Sequence, residues 1–151
     1  MKKIFLFAAA FTLTLAAIAQ PKADDFIKLN TEKYDFGKIK QGTPVTYSFE
    51  IKNTSDKPVI VENTWASCGC TTPEKIEKPI ESGTTVKLKV QYNAAAIAPF
   101  TKDIYIKLAG IDQPKTVQIT GEVMEATAYD TWVKEKGKTK DQTTPAPSKN
   151  K

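Results

Sequence analysis

The sequence predicts an all-β fold, a single antiparallel β-sandwich of about seven strands, on three observations. Short stretches of strict apolar/polar alternation recur, turn signals built from Gly, Pro and Asn separate them, and no amphipathic helix of useful length interrupts them. Half-buried strands of this kind must cover their apolar faces with a second sheet.

The chain opens Met1-Lys2-Lys3, continues through the apolar run Ile4 to Ile18, and leaves it through Ala17-Ile18-Ala19. A basic start, a short apolar core and a small-x-small exit predict a secretory signal peptide over residues 1–19, cleaved after Ala19. The apolar run is shorter than the roughly 20 residues a spanning helix needs. No Cys stands at the cleavage point, so neither a membrane span in the mature chain nor a lipid anchor is expected. The predicted location is the periplasm or the cell exterior.

Lys22 to Asp25 is polar and is expected to be mobile. Phe26 to Leu29 and Tyr34 to Ile39 are the first strand candidates. After the turn signal Gln41-Gly42-Thr43-Pro44, Val45, Tyr47, Phe49 and Ile51 alternate with Thr46, Ser48, Glu50 and Lys52, the period of two that marks a half-buried strand. Asn53 to Pro58 closes it with turn formers, and Val59 to Trp65 reads as the return strand. Pro73 and Pro79 keep the segment from Pro73 to Ser82 out of helix and central strand. Val86, Leu88, Val90 and Tyr92 form the next strand, with Lys87 and Lys89 on its wet face. Asn93 to Phe100 tempts a helical turn, but it is too short to hold one and Pro99 ends it. Ile104, Ile106 and Leu108 alternate next, Ala109 to Pro114 turns the chain, and Val117 to Val123 is the last strand. One domain over residues 20–125 results. From Ala126 the low hydrophobicity predicts a disordered Lys/Thr/Pro-rich tail over residues 126–151.

Charge and composition exclude several functions. All 22 basic residues are Lys, and the chain has neither His nor Arg. Without imidazole no Ser-His-Asp or Cys-His arrangement forms in cis, and without guanidinium the bidentate recognition of phosphate or base edges is missing. The net charge of +5 resides in the first three residues and the tail; between Gln20 and Glu125 fourteen lysines face fourteen acids. Such a body is an ordinary solvated surface rather than a field for nucleic acid. No catalytic residue and no cofactor is predicted.

The one chemically distinctive stretch is Ser67-Cys68-Gly69-Cys70-Thr71-Thr72-Pro73. In an extended strand Cys68 and Cys70 share a face with Cα atoms about 6.6 Å apart, near the upper end of the roughly 4.4–6.8 Å that a disulfide spans. A bend at Gly69 allows a small disulfide ring; without it two thiols lie side by side. The reading favoured by composition is a structural pair. The functional readings are a soft-metal site for Cu(I) at Cys68 and Cys70 and a thiol-disulfide couple. Two thiols without imidazole fall short of a closed zinc site. Trp65, beside the pair, is expected in the core, with an exposed partner-binding anchor as the alternative.

These residues also carry a resemblance. Tyr34-Asp35-Phe36-Gly37-Lys38-Ile39, Val45 to Asn53 followed by Thr54-Ser55, Ser67-Cys68-Gly69-Cys70-Thr71-Thr72, Pro79 to Gly83 leading into Val86 to Tyr92, and Ile119-Thr120-Gly121-Glu122-Val123 resemble the bacterial family known as domain of unknown function 1573. The likeness covers about Glu32 to Val123. It implies an immunoglobulin-like or major-sperm-protein-like sandwich in an exported protein, with no established reaction. One departure is the Ala-rich segment before Phe100, where such domains often carry Gly. The resulting expectation is an exported, non-enzymatic structural or binding module for a protein or cell-envelope partner, presented by the loops Trp65 to Pro73 and Asn93 to Phe100.

Overall fold

The computed structural model describes residues 20–141; the expected signal peptide and the last ten residues lie outside them. Eight strands form two four-stranded sheets: β1 (Ile27–Leu29), β2 (Lys33–Lys40), β3 (Val45–Asn53), β4 (Val61–Ala66), β5 (Thr71–Pro73), β6 (Thr85–Tyr92), β7 (Pro99–Leu108) and β8 (Lys115–Met124). One sheet runs β1-β3-β6-β5 and the other β2-β8-β7-β4. The strand beyond the seven expected is β5, three residues that pair with the end of β6 and terminate at Pro73.

Alternation sets the faces. Phe49 and Ile51 of β3, Leu88 and Val90 of β6, Ile104 and Ile106 of β7, and Val117 and Ile119 of β8 are all buried between the sheets. Burying an aliphatic or aromatic side chain of this size stabilises the fold by about 1.5–3 kcal/mol each. All strand pairs are antiparallel except β2 with β8, which are parallel, so the antiparallel expectation needs this one correction. The reading of Val59 to Trp65 as a return strand beside β3 is also corrected. Val59 only bridges to Ile80, and β4 crosses to the other sheet to pair with β7. Alternation specifies which face a strand buries and not which neighbour it takes.

Two segments expected to lack order are built into the domain. Ala23–Asp25 forms a 3₁₀ turn with Ala23 buried in the core. Its Asp24 and the nearby Glu32 both hold Lys115 Nζ at 2.5 Å. Burial opposes the Lys115 charge, but the hydrogen bonds and attraction of the two carboxylates outweigh it and raise its pKa.

The tail, expected to be disordered from Ala126, begins as helix α1 (Ala126–Asp141). The cause is local. Glu125 accepts hydrogen bonds from the backbone N–H groups of Thr127 and Ala128, each at 3.0 Å, and from the Thr127 hydroxyl. That satisfies donors which a helix start leaves open. Lys40 then grips both carboxylate oxygens of Asp130 at 2.9 and 2.7 Å, and Lys38 lies 5.6 Å from the Trp132 ring centre. Composition alone registers neither the cap nor these anchors.

Candidate functional site

Strand directions collect three connections at one end of the sandwich: Gln41 to Pro44, Ser67 to Cys70, and Asn93 to Ala98. Backbone hydrogen bonds knit them together. Asn93 N–H donates to the Cys70 carbonyl at 3.0 Å, and Gly42 N–H donates to the Ala94 carbonyl at 2.9 Å. The Gln41 side-chain amide reaches the Ala95 carbonyl at 3.1 Å. The two loops singled out from the sequence are therefore neighbours.

Within this cluster Cys68 and Cys70 are joined by a disulfide, with Cα atoms 5.3 Å apart. Their sulfurs offer no thiolate in this state, so soft-metal ligation by Cys68 and Cys70 requires reduction first. Among the described residues no three Cys, Asp or Glu side chains gather in a metal-holding group. The loop is anchored independently of the sulfurs. Ser67 N–H donates to the Asp103 carbonyl at 2.9 Å, Asp103 N–H donates to Ser67 Oγ at 3.3 Å, and Thr71 N–H donates to the Cys68 carbonyl at 3.2 Å. Beneath it Thr71, only 4% exposed, lies opposite Tyr92 in the sheet. Burial raises the Tyr92 phenol pKa.

Thr71 was not singled out from the sequence as a site residue. Its hydroxyl lies 3.9 Å from both Cys68 Sγ and Cys70 Sγ. A disulfide sulfur carries no hydrogen, so the hydroxyl is the donor. The available signal was the Cys-Thr adjacency, which puts a hydroxyl next to the pair.

Trp65 corrects the core expectation: it is 37% exposed. A bulge between Val61 and Asn63 is the reason. A period of two continued from Val61 would point Trp65 inward; the extra residue reverses the phase, so Thr64 and Ala66 face the core and Trp65 faces out. There its ring stacks on its cross-strand partner Tyr105, with centroids 5.2 Å apart and planes at 22°. Ile97, on the neighbouring loop, is 54% exposed. At the opposite end a cleft of about 360 Å³ lies between Phe26, Lys57, Ile60 and Ile111.

No described helix is long and apolar enough to cross a membrane. The profile of the family "Protein of unknown function (DUF1573)" matches residues 27–123. No curated protein matches the chain. Among solved structures, a protein of unknown function from Porphyromonas gingivalis W83 is similar at 16% identity and a TM-score of 0.57, over 64% of this chain and 46% of that one. This chain thus spans less than half of that protein. The ASH/PapD-like domain 7 of human CEP192 is similar at 10% identity and a TM-score of 0.52, covering 76% of this chain and 98% of that domain. The SrpA adhesin of Streptococcus sanguinis is similar at 11% identity and a TM-score of 0.52, over 74% of this chain and 63% of the adhesin. At these identities the likenesses establish the sandwich fold alone. With the profile covering nearly the whole sandwich, the chain belongs to the DUF1573 family.

Proposed function

We propose that this protein is an exported, non-enzymatic binding module for a protein or cell-envelope partner, and that it binds through the end where the three loops converge. The observation that carries the reading is the placement of Trp65: a stacked but solvent-facing aromatic on β4, leading directly into loops tied together by the Cys70 to Asn93 hydrogen bond. Exposed aromatics that keep one face free supply contact area at low entropic cost, and they concentrate at recognition surfaces. The chain has no His, the side chain that most often performs general acid-base catalysis, which supports a role without that chemistry.

Two measurements test it. Expression of the full chain in a bacterial host, followed by fractionation and intact mass, is expected to give a chain starting at Gln20 outside the cytoplasm; a full-length cytoplasmic product contradicts export. A photo-crosslinking amino acid placed at Trp65 or Ile97 is expected to trap a discrete partner on cells, one not trapped from Lys87 on the opposite sheet. Equal labelling from all three positions contradicts the assigned surface.

A further inference from the structure

We propose that the Cys68–Cys70 disulfide is an exchangeable redox couple, reduced in the folded protein by a partner dithiol, with the Thr71 hydroxyl as the positioning residue that receives whichever sulfur leaves. Three observations carry this.

The bond is not what holds its loop. Ser67 is fastened to Asp103 by two hydrogen bonds, Cys70 to Asn93 by one, and Thr71 closes onto the Cys68 carbonyl. A bridge across two positions closes so small a ring that it constrains the unfolded chain far less than a long-range disulfide does. Opening it leaves the backbone supports in place.

The buried donor is unusual. Thr71 is 4% exposed, and among the described residues its hydroxyl bonds only to the two disulfide sulfurs, each at 3.9 Å. A disulfide sulfur is a poor acceptor, so the buried hydroxyl costs the oxidised state stability that a state offering a better acceptor recovers. A thiolate is that better acceptor, since hydrogen bonds to charged groups are shorter and stronger. The equal distances mean that either sulfur is served on leaving.

The pair lies at the surface of the loop. Cys68 and Cys70 are half-buried rather than enclosed, and Gly69 between them is exposed. A thiolate of the partner attacks one sulfur, the Cys68–Cys70 bond breaks, and the other sulfur leaves as a thiolate hydrogen-bonded to Thr71. The partner's second thiolate then attacks the mixed disulfide. The partner ends as a disulfide, the two electrons reside on Cys68 and Cys70, and the two protons of the partner dithiol end on their sulfurs.

The test uses the folded chain and the dithiothreitol couple, with the fraction reduced read by alkylation and intact mass. The disulfide is expected to open reversibly at millimolar dithiothreitol with the far-UV circular dichroism spectrum unchanged. Thr71→Val is expected to lower the equilibrium constant for reduction and the exchange rate about tenfold, and Thr71→Ser to restore both. On the unsubstituted reduced protein, the pH profile of iodoacetamide alkylation is expected to reveal one thiol titrating below the ordinary value of about 8.5. A disulfide that opens only on unfolding, a Thr71→Val variant that exchanges like the parent, or two thiols of ordinary pKa each overturn the proposal.

Discussion

Asn53 Nδ2 donates to the Ile80 carbonyl at 2.7 Å, from the fully buried end of β3. The same amide nitrogen donates to the Lys57 carbonyl at 2.7 Å, while Oδ1 accepts from Ser55 N–H and from the Ser55 hydroxyl. One side chain thus holds the β3–β4 connection to the segment that bridges Val59 to Ile80. Asn53→Asp replaces the donor with an acceptor facing two carbonyl oxygens, at a fully buried position. A cost of about 3–5 kcal/mol is expected, against about 1–3 kcal/mol for Asn53→Ala, which leaves two carbonyls with one partner fewer. Urea unfolding midpoints measure both, and an Asp variant as stable as the Ala one contradicts the assignment of donor and acceptor.

Phe100 and Gly121 form a second constrained pair, opposed in the β7–β8 register. A Cβ on residue 121 would lie 2.8 Å from the Phe100 ring and 2.9 Å from the Gly37 carbonyl. The ring has little room to yield, being stacked on Tyr92 at 4.1 Å. Gly121→Ala is expected to cost about 1–3 kcal/mol through overpacking. In a thermal-melting double-mutant cycle with Phe100→Leu, the combined loss should fall below the sum of the single losses, because the smaller side chain relieves part of the clash.

The strands with clean alternation were legible in the sequence because period and burial agree: Phe49 and Ile51, or Leu88 and Val90, fall where the pattern puts them. Trp65 was not, because the bulge before Asn63 reverses the phase and no turn residue announces it. The crossing of β4 to the other sheet was hidden for a related reason, since pairing partners depend on tertiary packing. The cysteines were legible as a site, and the convergence of their loop with Asn93 to Ala98 came only with the topology. Helix α1 was missed because its start depends on Glu125, one side chain in a segment that reads by composition as disordered.

Trp65→Ala should separate a surface aromatic from a core one. The stack on Tyr105 is a cross-strand pair that contributes about 0.5–1.5 kcal/mol, whereas removing a buried aromatic such as Phe49 costs about 3–5 kcal/mol. A small loss of unfolding free energy for Trp65→Ala beside a large one for Phe49→Ala is expected from paired denaturation curves. Comparable losses would return Trp65 to a structural role.

Ala94 lies in the Ala-rich segment before Phe100, where domains of this kind often carry Gly, and among the described residues it is the one non-glycine with positive φ, at 52°. Its side chain is fully buried. Ala94→Gly relieves about 1–2 kcal/mol of left-handed strain, but loses a buried methyl group worth about 0.8 kcal/mol and adds unfolded-chain entropy worth about 0.4–1 kcal/mol. The change is expected to be within about 0.5 kcal/mol of neutral. Ala94→Val puts a branched side chain into the same conformation without space for it, and a loss of about 2–3 kcal/mol is expected. Equilibrium unfolding of the two variants side by side measures the difference.

The start of α1 should respond to acid. Hydrogen bonds from the Thr127 hydroxyl and from the Thr127 and Ala128 backbone N–H groups, with a smaller attraction from Lys40, hold the Glu125 carboxyl below its ordinary value of 4.5. A carboxylate whose folded pKa is depressed stabilises the fold fully above the unfolded value, and its contribution fades as pH falls through the folded one. Helix signal at 222 nm is therefore expected to be constant above about pH 5 and to decline from about 4.5 downward. Glu125→Gln keeps an oxygen acceptor but removes the charge and its titration. It is expected to start with less helix at neutral pH and to show a shallower acid decline, whereas a decline identical to the parent's would mean that a different carboxylate, such as Asp130 on Lys40, governs the helix.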